Sequence, residues 1–185
     1  NETERLLTLL EHEMQIARQT QQSIRPPHEP HYDGYDFGSL INPARAVGGD
    51  FYDFIRLDNN RISLVLGDVS DKGLPAALFM ALTFSLLQAE TERSDDPRQI
   101  LLNVNRHLLK MNASGMFVTV LYGILDCQTG ALLYARAGHL PPIVLDANGE
   151  WFKSPHNLGQ TLGLFTELSL DVQEVLVPPG GLVCL

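Results

Sequence analysis

The sequence predicts an α+β protein built on antiparallel sheets, and three observations predict it. Short β-rich runs come first, two long helical patterns follow, and strands at hairpin spacing resume after them. The alternating strand–helix rhythm of a parallel sheet is missing. Turn-forming stretches, Asp58-Asn-Asn60, Gln128-Thr-Gly130 and Ala147-Asn-Gly149, separate apolar runs at hairpin distance. The natural assembly is a set of antiparallel strands with the two helices covering one face.

Residues 1–24 read as one amphipathic helix. Leu7, Leu10, Met14, Ala17, Gln21 and Ile24 recur at spacings of three and four, which keeps them on one stripe. Gln21 weakens that stripe as a coiled-coil seam. Two readings stay open: a helix packed on its own domain, or a signalling helix that pairs with a second copy to give a homodimer. Arg25-Pro-Pro-His-Glu-Pro30 stops the helix, because proline lacks the N–H and disfavours helical geometry before it. The expected organisation is therefore a linker helix with its Pro-rich break over 1–30 and one folded domain over 31–185.

Within that domain, Tyr35–Ile41, Phe51–Ile55 and Ile62–Gly67 are expected strands. A helix over about Leu74–Glu90 carries Pro75 in its first turn, where the missing N–H costs nothing. It is apolar on nearly every face and is expected to be sandwiched. A second helix starts at the cap Asp96-Pro97 and runs to about Met111 with one apolar stripe. Strands are then expected at Met116–Leu125, Ala131–Ala137, Ile143–Asp146 and Trp151–Lys153. A last hairpin, Leu170–Val177 with Leu182–Leu185, would turn at Pro178-Pro-Gly-Gly181.

Composition bounds the function. The 185 residues hold 13 Lys+Arg against 22 Asp+Glu, a formal charge of −9. That balance argues against nucleic acid and anionic membrane as partners, which are bound by clustered Lys and Arg. Cys127 and Cys184 cannot form a disulfide framework and lack metal-type spacing, so reduced, buried thiols are expected. No apolar run approaches the ~20 residues of a membrane span. The first residues do not resemble a signal peptide, so a cytoplasmic location is expected.

Two segments concentrate chemistry: Val47-Gly-Gly-Asp50-Phe-Tyr-Asp53 and Leu66-Gly-Asp68-Val-Ser-Asp71-Lys-Gly73. Each sets a carboxylate just after a glycine at a strand end, and a short turn joins the two strands. If the strands pair, Asp50 and Asp68 converge at one end of the sheet. Such a pair either holds a hard cation, which takes oxygen ligands with water completing the octahedron, or repels itself and raises a pKa. The plainer alternative is that both aspartates merely cap turns.

Four motifs in order sharpen this choice: Gly48-Gly-Asp-Phe-Tyr-Asp53, Gly67-Asp-Val-Ser-Asp-Lys-Gly-Leu-Pro-Ala-Ala77, Phe117-Val-Thr119 with Tyr122-Gly123, and Ala137-Gly-His-Leu-Pro-Pro142. Together they resemble the metal-dependent protein phosphatases (PPM family) of the SpoIIE/RsbU-like branch. The similarity runs from about Tyr35 to the last residue, and Ala17-Arg-Gln-Thr-Gln21 resembles the lead-in segment of that branch. The resemblance implies a PPM-type β-sandwich of two antiparallel sheets flanked by helices, with two Mn²⁺ or Mg²⁺ ions at one edge. It also implies that Asp68 bridges the metals, that the backbone carbonyl of Val69 adds an oxygen, and that Asp50 supports the cluster. The implied reaction is hydrolysis of phosphoserine or phosphothreonine by metal-activated water. Its implied substrate is a phosphorylated regulatory protein of the anti-sigma-factor-antagonist type, in bacterial stress signalling. In the family the two central helices carry regulatory input, so a shift of the first could move the Val69 carbonyl relative to a metal.

The chain departs from the family pattern in places. As written it stops at Gly180-Gly-Leu-Val-Cys-Leu185, before the Thr-Asp-Gly segment that supplies a further metal ligand. Only part of the dimetal site and an unpaired sheet edge are therefore expected. A phosphatase-like interaction module without hydrolysis is the alternative reading. Asp71 stands where glycine is commoner, either as a carboxylate beyond the direct ligands or as a favourable charge at a helix start. Arg45, five residues before Asp50, is a candidate phosphate clamp. His139 is expected to stabilise a turn rather than act as a general acid, and Asp53 to be structural. His12, His28, His31, His107 and His156 show no ligand spacing.

Overall fold

The computed structural model describes residues 1–26, 28–42, 46–112, 115–152 and 159–185. Its elements run α1 (Glu2–Ile24), β1 (Phe51–Arg56), β2 (Arg61–Val69), α2 (Leu74–Thr91), α3 (Pro97–Met111), β3 (Val118–Asp126) and β4 (Ala131–Ala137). They continue with β5 (Ile143–Leu145), β6 (Trp151–Phe152), β7 (Asp171–Leu176) and β8 (Leu182–Cys184). Two antiparallel sheets result: five strands in the order β1-β2-β3-β4-β7, and three in the order β6-β5-β8.

Local chemistry sets the long hairpins. One carboxylate oxygen of Asp58 accepts from the N–H of Asn60 and of Arg61, each at 2.8 Å, which closes the β1–β2 turn. Asp126 closes the β3–β4 turn in the same way, accepting from Gln128 and Thr129. At α3 the Asp96 side chain accepts from the Arg98 N–H at 2.9 Å, the expected cap.

Helices α2 and α3 cover one face of the large sheet. Phe51, Val65, Val69, Phe84, Leu101 and Tyr122 are among the buried residues of that main core. Helix α2 has the length and apolar composition of a membrane span, yet half of it is buried inside the fold. Asp53 is buried and its carboxylate accepts from the Gln88 side chain at 3.0 Å, tying β1 to α2. Burial holds its pKa above the usual carboxylate value. The opposite face carries a second cluster, Tyr32, Ile62, Leu64, Leu121, Leu125, Leu132 and Tyr134, against which Val183 of β8 packs.

Three expectations need correction. Tyr35–Ile41 makes no ladder: Tyr35 forms one isolated bridge with Tyr32, and the stretch lies extended. Its burial still alternates, because Tyr35 and Phe37 pack on the second cluster while Asp36 and Leu40 face solvent. The alternation thus reports a chain lying on a sheet, not a strand within one. The last two strands do not form a hairpin either, since β7 pairs with β4 and β8 with β5. Pro178-Pro-Gly-Gly181 instead carries the chain from one sheet to the other. The cysteines are not buried: Cys127 is intermediate and Cys184 exposed.

Helix α1 divides the two readings between its halves. It opens with a capping box, the Asn1 side chain accepting from the Glu4 N–H and the Glu4 carboxylate accepting from the Asn1 amine. Leu6, Leu7, Leu9, Leu10 and Ile16 are about half exposed, whereas Gln21 is buried and Ile24 packs on the main core. The helix therefore docks by its C-terminal end.

Candidate metal centre

The β1–β2 register pairs Phe51 with Gly67. Asp50 and Asp68 follow one step further, at the same end of the ladder. Their carboxyl groups lie within hydrogen-bonding reach, and the Asp68 pKa is pushed up to about 6 by burial first and by Asp50 second. Both residues are nonetheless solvent-exposed. Two acids forced together at an open rim are the arrangement in which a cation replaces a shared proton.

Glycines shape this rim. The ring of Phe51 lies over Gly67 so closely that a Cβ there would stand 2.3 Å from it. A Cβ on Gly49 would stand 2.9 Å from both the Cβ and the carbonyl oxygen of Val69. Gly49 thus lets the chain before Asp50 lie close against Val69, and its own carbonyl accepts from the Val69 N–H at 3.4 Å. Two carboxylates and the neighbouring Val69 carbonyl would make an all-oxygen donor set that fits Mg²⁺ or Mn²⁺, with water in the remaining positions. Among the described residues no group of three or more His, Cys, Asp or Glu side chains converges on one point.

Strand alternation puts Asp68 on the face of Leu64, away from α2 and α3. Thr119 pairs with Asp68 across the β2–β3 ladder. Its hydroxyl shares a 2.8 Å hydrogen bond with His139 Nδ1. Burial and the charge of Arg136 lower the His139 pKa, against opposing contributions from Thr119 and Asp50. The net effect disfavours protonation of the imidazole. The Arg136 guanidinium is fully buried, bonds Asp171 through Nε at 3.0 Å, and donates from Nη1 to the His139 carbonyl at 3.0 Å. Thr119, Arg136 and the Thr119–His139 pair were not legible from spacing. A glycine–histidine step followed by two prolines marked the turn but not its partner.

Asp71 takes φ +79°, among the described residues the only non-glycine outside the usual negative range. This conformation explains why glycine suits the position. The Asp71 carboxylate accepts from the Lys72 N–H at 2.8 Å, two residues before the Gly73 cap of α2. Arg45 and His156 lie outside the described residues.

The segment before Asp50 has a partner that the sequence reading missed. Gln21 Nε2 donates to the Gly48 carbonyl at 2.7 Å, and the Gly48 N–H donates to Gln21 Oε1 at 3.1 Å. A glutamine interrupting an apolar stripe was the available signal.

Comparison with known proteins supplies an independent line. A family profile described as Stage II sporulation protein E (SpoIIE) matches residues 58–185. The chain is 30% identical to the phosphoserine phosphatase RsbU of Bacillus subtilis over 94% of its own length and 51% of that protein. It spans about half or less of the curated relatives it matches. Among solved structures, the RsbU and RsbW domains of Rv1364c from Mycobacterium tuberculosis superpose with a TM-score of 0.65 at 28% identity, over 76% of this chain and 38% of that one. The SiaA-PP2C domain of Pseudomonas aeruginosa superposes with a TM-score of 0.76 at 21% identity, over 95% of this chain and 70% of that one.

Proposed function

The chain belongs to the SpoIIE family, in the RsbU-like branch of the metal-dependent PPM protein phosphatases, and from that premise we propose that it hydrolyses phosphoserine or phosphothreonine on a regulatory protein. The acidic pair carries this reading: Asp50 and Asp68 share one rim of the sheet, and Val69 follows Asp68 directly. These three groups would hold a divalent cation, Mn²⁺ or Mg²⁺, within the two-ion cluster that the family pattern implies. Such a cation supplies hydroxide near neutral pH and neutralises charge on phosphoryl oxygens.

The protein's own groups prepare the rim. Asp68, deprotonated above about pH 6, presents its oxygens toward those of Asp50. Gly49 lets the chain pass close to the Val69 carbonyl, and the hydrogen-bonded Thr119–His139 pair lies across the ladder from Asp68. Arg45, placed by sequence five residues ahead of Asp50, is the proposed phosphate clamp. No side-chain nucleophile is needed, because water attacks phosphorus directly.

The proposed substrate is a phosphorylated anti-sigma-factor antagonist or a similar small regulator, and the proposed setting is the cytoplasm. Phosphate release from such a phosphoserine protein by the full-length enzyme should require Mn²⁺ or Mg²⁺. It should fall at least a hundredfold in Asp68→Asn. Undiminished turnover in that variant would remove the assignment. The lack of a third converging acidic side chain among the described residues favours a second reading, a phosphatase-like module that binds a partner without hydrolysis. Calorimetric titration with Mn²⁺ separates the two, since the module has no cation site.

A further inference from the structure

We propose that Gln21 is the positioning residue through which the N-terminal helix holds the Asp50 carboxylate in the metal centre. This rests on the metal-centre reading above and names what regulates that centre's geometry. The starting observation is an anomaly of burial. Gln21 is 7% exposed on a helix otherwise largely open to solvent. A buried amide without partners costs about 1–3 kcal/mol, and this one has two. Both its donor and its acceptor engage the backbone of Gly48.

The consequence lies two residues further on. Val47 and Phe51 are each 1% exposed, so the loop between them is pinned in the core at both ends. Of the three residues between, Gly49 is held by the Val69 N–H and Gly48 by Gln21. Asp50 follows directly, with its exposed carboxyl beside that of Asp68. Two adjacent glycines have wide conformational freedom, so Gly48 needs an external partner to fix the approach of the Asp50 main chain. An apolar residue at position 21 would leave both Gly48 groups unpartnered.

The geometry also provides a route for a signal. Helix α1 docks through its last turns, while the leucines of its first half are exposed. Rotation or withdrawal of α1 therefore acts first on the Gln21–Gly48 pair, and through it on Asp50. A bound cation would tighten the pair, and by reciprocity the pair would favour the cation.

The test uses the full-length protein with Gln21→Leu, which keeps volume but removes the amide, and Gln21→Glu, which keeps the acceptor for the Gly48 N–H. Backbone hydrogen exchange of the metal-free protein is the first measurement. Gln21→Leu should speed exchange at Gly48–Phe51 at least tenfold and leave β3 and β4 unchanged, with Gln21→Glu intermediate. Calorimetry with MnCl₂ is the second, and affinity should fall about tenfold in Gln21→Leu. Unchanged exchange at Gly48–Phe51 would overturn the proposal, and so would faster exchange with Mn²⁺ affinity within twofold of the unsubstituted protein. If Gln21→Leu does not fold, the same comparison is decided on Gln21→Glu. An unsubstituted protein that takes up no Mn²⁺ would refute the metal-centre reading alone, and exchange at Gly48 would then decide the tether by itself.

Discussion

The Phe51 ring occupies the space that a side chain on Gly67 would need, directly across the β1–β2 ladder and one step before Asp50 and Asp68. The pair packs the core and aims the rim at once. Phe51 meets Phe84 edge-on at 6.1 Å between ring centroids, so the ring cannot swing aside without disturbing α2.

Gly67→Ala should accordingly destabilise the protein by about 1–3 kcal/mol, the usual range for overpacking. Urea unfolding reads this directly. Because Asp68 is the next residue, Mn²⁺ affinity should drop as well. Wild-type stability would show that the ring relaxes freely.

The acidic pair gives the metal-free protein a pH dependence with a defined sign. Asp68 is protonated more readily in the folded state, near pH 6, than at its ordinary value of 3.8. Its contribution is therefore fully favourable below pH 3.8 and is lost as pH rises through about 6. Solvent screening at this exposed carboxyl keeps the effect to about 1 kcal/mol. Urea unfolding in EDTA at pH 4.5, 6 and 7.5 should show this component of the loss, and Asp68→Asn should remove it. Mn²⁺ affinity should run oppositely, rising through pH 6 as the proton leaves. An affinity that is flat from pH 5 to 7.5 would contradict the shared-proton picture.

Asp71→Gly should leave stability unchanged or raise it by up to about 1 kcal/mol, since glycine relieves the left-handed conformation but loosens the unfolded chain. Asp71→Val should lower it, because a β-branched residue tolerates φ +79° poorly. The Asp71 carboxylate bonds the neighbouring backbone. Mn²⁺ affinity should then be the same in Asp71→Gly, and a tenfold loss would restore a role near the cation.

The exposed leucines of α1 make a second copy of the chain the proposed partner for that helix. The double substitution Leu7→Glu with Leu10→Glu should convert a dimer to a monomer, as read by light scattering during gel filtration. Gln21 is untouched, so Mn²⁺ affinity of the monomer should stay within a fewfold. A mass that does not change would rule out pairing through this stripe.

Where the turn is short, its chemistry was readable from the residues. Asp58 and Asp126 each organise their hairpin through bonds within four residues, so pairing of β1 with β2 and of β3 with β4 followed from local preference. Convergence of Asp50 with Asp68 followed from the first of these, since the hairpin register carries both to one end. The helix boundaries were equally local, set by Asp96 and by Pro75.

Pairings across long separations were a different matter. Leu170–Val177 and Leu182–Leu185 carry an acceptable hairpin turn, but β7 completes the large sheet beside β4 and β8 completes the small one beside β5. Tyr35–Ile41 has the pattern of a strand and no ladder to join. By itself the sequence determined which segments extend or coil and which two acids meet, because those outcomes depend on backbone preference and on contacts a few residues apart. Only the tertiary structure decided which strand edges were left to pair, that Thr119 meets His139, and that Gln21 reaches Gly48, because a backbone or side-chain hydrogen-bonding group accepts any suitable partner, and proximity in the folded chain selects among them.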